Sequence, residues 1–178
     1  MNKISINNFN EVEIKILNKL NECGKGYIVG GAIRDILLGL EPKDIDFTTN
    51  LPYETLKKLF SEYNLKEIGK SFGVLRIRIN DIDYEIAKFR EDIYGKEEKV
   101  TFVDEIKNDL VRRDFTINAM AYNQKEGIID LYNGQKDIDR DKLMYFFDIV
   151  DTIYERYYVN TESTLDQLRH IMGKDYLK

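Results

Sequence analysis

The chain has 178 residues, 43% of them hydrophobic, and its 27 Lys and Arg against 32 Asp and Glu give a formal net charge of −5. That length and apolar share exclude global disorder and fit one domain of ordinary size, able to bury a core without disulfides. A single cysteine, Cys23, and a single histidine, His170, exclude an internal disulfide and leave almost nothing for a structural zinc site or histidine general-base chemistry. Any metal must therefore be held by oxygen ligands, which favours Mg2+ or Mn2+. No apolar run approaches twenty residues and no signal peptide is visible, so the expectation is a cytoplasmic protein with no membrane partner. The negative charge is the wrong sign for a self-sufficient nucleic-acid binder.

Residues 9–22 read as an amphipathic helix, with Val12, Ile16 and Leu20 at helical spacing. Tyr27–Ile28–Val29 is a short apolar run, a buried strand by length. Gly30–Gly31 opens a second helix striped by Ile33, Ile36, Leu37 and Leu40, ended by Gly39 and Pro42. Asp44 to Thr48 alternates charged and apolar residues at the period of a half-buried strand. Tyr53 to Tyr63 reads as a helix after Pro52. Val74 to Ile79 and Ile82 to Phe89 read as a hairpin around Asn80–Asp81. Residues 91–99 read as a charged loop, and 104–113 and 115–122 as helices. Ile128–Ile129 is a short strand and Asn133–Gly134 a turn. Leu143, Phe146, Val150, Ile153 and Tyr157 space out as a helical face, with Leu165, Leu168 and Met172 on a last helix. The division expected is 1–140 as one domain and 141–178 as a short helical extension.

Four patterns carry chemistry. Asp44 and Asp46, at i and i+2 of a strand, point to one side and can hold hard cations together. The alternative is two solvated surface aspartates. Gly30 and Gly31, between a strand and a helix, let the backbone approach a ligand at a helix N-terminus suited to phosphate. Arg34 and Asp35 follow off the apolar stripe and can face the same cleft. Glu85 shares a face with Asp83 and Ala87, away from Ile82, Tyr84 and Ile86. It is a candidate third carboxylate or base, or else a cross-strand partner of Arg76 or Arg78. In Arg112-Arg113-Asp114-Phe115-Thr116-Ile117-Asn118, Asp114 and Asn118 would stack at i, i+4 of a helix to read ribose or a base edge. Arg113 is the fork-shaped phosphate donor there.

The order and wording of these patterns resemble a known family. Gly30-Gly31-Ala32-Ile33-Arg34-Asp35-Ile36-Leu37-Leu38-Gly39 followed by Pro42-Lys43-Asp44-Ile45-Asp46-Phe47-Thr48-Thr49 is similar to the first signature of the bacterial CCA-adding and poly(A) polymerase family, the class II tRNA nucleotidyltransferases. Glu85-Ile86-Ala87-Lys88-Phe89-Arg90 resembles its third-carboxylate strand. Asp109-Leu110-Val111-Arg112-Arg113-Asp114-Phe115-Thr116-Ile117-Asn118-Ala119-Met120-Ala121 resembles its ribose-recognition motif, and Asp130-Leu131-Tyr132-Asn133-Gly134-Gln135-Lys136-Asp137 its head-to-neck link. The resemblance covers the head domain only, about Tyr27 to Asp137.

It implies an α+β, DNA polymerase β-like nucleotidyltransferase fold, a small mixed sheet with helices on one side, followed here by C-terminal helices. It implies Asp44 and Asp46 as metal ligands, Glu85 as third carboxylate, and a triphosphate site from Gly30, Gly31 and Arg34. Arg113, Asp114 and Asn118 would place the nucleotide, with Asp35 and Arg112 beside them. The implied reaction is template-independent transfer of NMP from CTP or ATP to an RNA 3′ end, with tRNA as the family's acceptor. Alternatives are a head acting on a non-RNA acceptor, or a catalytically silent nucleotide-binding module. The family's Glu-Asp-x-x-Arg base reader is not found, and Leu165-Asp166-Gln167-Leu168-Arg169 only echoes it. A homodimer or second subunit could supply neck and body functions.

Overall fold

The computed structural model describes residues 3–66, 72–93, 99–113 and 115–138. The chain divides into two compact units, Met1–Gln135 and Lys136–Lys178, and the architecture below is that of the first. The helices expected within 143–172 lie outside the described residues.

The fold begins with α1 (Glu11–Cys23), started by a capping box. The Asn10 side chain accepts from the Val12 and Glu13 N–H groups, and the Glu13 carboxylate accepts from the Asn10 N–H. Its Ile16, Leu17 and Leu20 are buried. β1 (Gly26–Val29) follows, buried along its whole length, then α2 (Gly31–Leu38), closed by Gly39 in the left-handed conformation. Next come β2 (Asp46–Thr49), α3 (Tyr53–Leu59) and β3 (Asn64–Lys66). β4 (Val74–Ile79) and β5 (Ile82–Lys88) form the expected hairpin, turned by Asn80 and Asp81, both at positive φ. β6 (Arg90–Ile93) and β7 (Lys99–Phe102) make a separate ribbon. α4 (Ile106–Val111), a 3-10 turn at Thr116–Asn118, β8 (Met120–Asn123), β9 (Gly127–Asp130) and α5 (Gly134–Asp137) complete the described chain.

Seven strands form one mixed sheet in the order β3-β4-β5-β2-β1-β8-β9. Among the described strands only β2 and β5 run parallel. α1 lies on the face toward which Gly26 points, where a Cβ would collide with Leu20. α3 shares that side, since Lys19 of α1 donates to the Leu59 carbonyl. These are the helices expected on one side. α4 adds partial cover opposite, its Ile106 and Leu110 packing with Tyr27, Val29, Phe89 and Ala121.

Four readings change. Residues 115–122 are no helix but a 3-10 turn leading into β8, which pairs with β1 and β9. All four residues of β8 are buried, and a strand covered on both faces loses the alternation that would reveal it. Residues 91–93 belong to β6 rather than a loop. The helix at Tyr53 stops at Leu59, and Asn64–Lys66 becomes an edge strand. β2 starts at Asp46, not Asp44. Its partner β1 ends at Val29, opposite Asp46, because the chain turns away at Gly30.

Candidate active site

The sheet register brings the candidate residues into one row. Lys66 lies beside Arg76, Arg76 beside Glu85, Glu85 beside Asp46, Asp46 beside Val29, and Val29 beside Ala121. Residues in register on neighbouring strands share a face. That face is covered by α4 at Val29 and Ala121, but Asp46 is solvent-exposed and Glu85 half-buried. The acids thus occupy the open part of a face whose other part is core.

Protein packed around Asp46 pushes its carboxyl above the ordinary carboxylate range, and the negative charges of Glu85 and Asp44 push it the same way. The Arg113 guanidinium pulls it back down. Asp44, exposed and just outside β2, is therefore close enough to be felt. Glu85 is turned toward β4, where Arg76 Nε donates to its Oε1 at 3.0 Å and Arg76 Nη2 bonds the same oxygen. This is the cross-strand pairing weighed from the sequence. Arg78 pairs instead with Asp81 and Asp83. Among the described residues no three acidic, Cys or His side chains converge as a ready metal cage. The fit to a hard cation rests on Asp44 and Asp46, an oxygen-only pair whose mutual repulsion a divalent ion would relieve.

The glycine turn sits at the end of β1. Gly30 has φ +74°, open to glycine and strained for other residues. Its N–H donates to the Met120 carbonyl, and its carbonyl receives the Ile33 and Arg34 N–H groups. A Cβ on Gly30 would lie 3.0 Å from Arg113 Nη1, so the Arg113 guanidinium lies directly against the turn. Gly31, Arg113 and Asn118 are only partly buried.

Arg34 and Asp35 behave differently from the expectation that they face the cleft. They are 3% and 4% exposed and form an ion pair, with Nη2–Oδ1 at 2.7 Å and Nε donating to the same oxygen at 2.8 Å. Arg34 Nη1 also donates to Asn118 Oδ1 at 2.8 Å. The short helix α2 is wedged between β1, β8 and the 3-10 turn, so residues off its apolar stripe are covered too. The pair ties α2 to Asn118 under the glycine turn. Asp114 lies outside the described residues.

One residue was not given a role from the sequence: Asp109, 0% exposed, whose Oδ1 accepts from Arg112 Nε at 3.1 Å and from the Arg90 N–H at 3.2 Å. Its Oδ2 accepts from Arg113 Nη2 at 3.3 Å. The signal was present: a carboxylate three and four residues before two arginines meets both at helical spacing.

Comparison with known proteins shows the family of the chain. Residues 26–144 match the poly A polymerase head domain family. The CCA-adding enzyme of Bacillus pumilus is 38% identical over 135 residues, which is 73% of this chain and 33% of that protein. That of Streptococcus uberis is 40% identical over 135 residues, with the same coverage. The chain thus spans about a third of the length of the curated relatives it matches. Among solved structures, the Bacillus stearothermophilus CCA-adding enzyme in complex with CTP superposes with a TM-score of 0.64 at 34% identity, covering 72% of this chain and 31% of that one. A tRNA nucleotidyltransferase complexed with a primer tRNA and an incoming ATP analog gives 0.54 at 33% identity, covering 70% and 36%. Among the described residues no helix is long and apolar enough to cross a membrane. With its glycine turn, paired acids and arginine-bearing turn in the matched segment, the chain belongs to the poly A polymerase head domain family.

Proposed function

We propose that this chain is a nucleotidyltransferase head that transfers NMP from an NTP, CTP or ATP, to an RNA 3′ end, with tRNA as the acceptor. The observation that carries the reading is the placement of Asp46 beside Glu85 and within the field of Arg113, which itself lies against the Gly30–Gly31 turn. A carboxylate next to a phosphate cradle is what in-line phosphoryl transfer requires.

In this reading the Gly30–Gly31 turn and the first N–H groups of α2 receive the triphosphate, and Arg113 neutralises part of its charge. Asp44 and Asp46 would hold Mg2+ or Mn2+, which supplies charge neutralisation and lowers the pKa of the attacking hydroxyl. Asn118, fixed by Arg34, presents its amide toward the ribose or base. Asp114 completes the ribose contact implied by the motif. Glu85, half-buried between Asp46 and Arg76, serves as third carboxylate once it leaves the arginine. CTP and tRNA bound to relatives at 33–34% identity support the substrate class.

The test is incubation with each labelled NTP, Mg2+ and tRNA lacking its 3′ end. The expected product is tRNA lengthened by C or A residues. Absence of any extended RNA, together with no calorimetric binding of any Mg–NTP, would remove the reading.

A further inference from the structure

Asp109 is a fully buried carboxylate with three donors converging on it: the backbone N–H of Arg90, the Arg112 Nε and the Arg113 Nη2. A buried ionised group persists only when paired and hydrogen-bonded, and this one is satisfied on both oxygens. Its position links two parts of the molecule, because Arg90 opens β6 while Arg112 and Arg113 follow α4.

Arg113 has a particular geometry. Its Nη2 is held by Asp109 and its Nη1 is pressed against Gly30, while its Nε is buried with no hydrogen-bond partner among the described residues. A free arginine side chain has many rotamers and loses affinity when it must order around a ligand. One held at its tip before the ligand arrives has already lost that freedom.

We propose that Asp109 is a positioning residue that fixes the Arg113 guanidinium against the Gly30–Gly31 turn, so that the anion site is formed before the nucleotide binds. This rests on the nucleotidyltransferase reading for the identity of the anion. Its geometric part, the fixed guanidinium, does not. Asp109 acts through Arg113 and touches no substrate. Replacing it by Asn keeps size but loses the charge, and turns an NH2 toward donors that need an acceptor.

The experiment has two arms on the full chain. The first follows the Arg113 Nε–Hε resonance by NMR, assigned with Arg113→Lys. Slow guanidinium rotation in the wild type supports the clamp, and free rotation there overturns it, whether or not any nucleotide binds. The second measures Mg–ATP and Mg–CTP binding by calorimetry for the wild type, Asp109→Asn, Arg113→Ala and the double variant, with folding checked by circular dichroism. Asp109→Asn should weaken binding tenfold or more, and Arg113→Ala should add little on top of it. Wild-type affinity in a folded Asp109→Asn, or fully additive losses, would show that Asp109 only supports the fold. A wild type that binds no NTP, yet shows a fixed Arg113, would sink the nucleotide reading and leave the positioning intact.

Discussion

The folded protein disfavours the charged form of Asp46. The protein packed around the carboxyl, Glu85 and Asp44 all raise it above the ordinary value of 3.8, against the pull of Arg113. A raised folded-state pKa means that the folded chain binds the proton more tightly than the unfolded one. Asp46 therefore contributes most to stability below the ordinary value, and that contribution is lost as pH rises through the raised one. Asp46→Asn removes this charge with little change in volume. In chelator, its Tm at neutral pH should exceed that of the wild type, and the difference should vanish as the pH falls below the ordinary carboxylate value. Transfer should drop by about 10²-fold or more, since even outer-shell partners of a metal ligand are worth ~10–100-fold. Full turnover in the variant, or a Tm lower at every pH, would contradict this. At this scale the sequence was informative about which residues gather and less so about what each touches. The glycine turn was legible because Gly30–Gly31 stands between a strand and a helix, whereas the strand spacing assumed for Asp44 and Asp46 fails because β2 begins only at Asp46. The burial of Arg34 and Asp35 was not legible, because the cover comes from a turn more than eighty positions away.

Among the elements, α1 and the β4–β5 hairpin were readable because each carries its own start and stop signals. Asn10 and Glu13 cap one, and Asn80 and Asp81 turn the other at positive φ. β3, β6, β7 and β8 were not, since three are short strands defined only by their partners and the fourth is buried on both faces. The helix expected at 115–122 would have stacked Asp114 over Asn118. In its place Asn118 reaches the site from a 3-10 turn, steadied by Arg34 and by the close fit of Gly134, where a Cβ would overlap the Thr116 carbonyl. The capping box gives a local test. Asn10→Ala leaves the Val12 and Glu13 N–H groups without their side-chain acceptor and should cost about 1 kcal/mol in urea unfolding, with an unchanged m-value. Since α1 packs on the face opposite Asp46, NTP binding at low temperature should not change. An unaltered midpoint would show that the cap is dispensable.

For the molecule as a whole, charge and extent bear on the acceptor. The net charge is −5, and the chain spans about a third of the relatives that carry the same head. Counterion release from phosphates is the main source of nucleic-acid affinity, and it needs basic surface. Among the described residues, the basic groups on the open face are largely engaged: Arg76 with Glu85, Lys66 and Arg78 with Asp83. The isolated chain should bind tRNA lacking its 3′ end only in the non-specific range, a Kd of about 10⁻⁴–10⁻⁶ M, weakening as salt rises. Fluorescence anisotropy across a salt series would read this, and a nanomolar, salt-insensitive Kd would refute it. The parallel pairing of β2 with β5 has a consequence for how the protein reaches its working form. Parallel neighbours cannot be joined by a tight turn, and here Thr48 bonds to Ala87 across 39 positions of chain. Closing so long a loop is an entropic barrier that no local contact offsets, so such pairings form slowly and late. The two acids are brought side by side only by that event. A ribosome-bound or partly unfolded chain can have α1, β1 and the β4–β5 hairpin and still hold no carboxylate pair. On the proposed reading, chemistry therefore waits for that pairing.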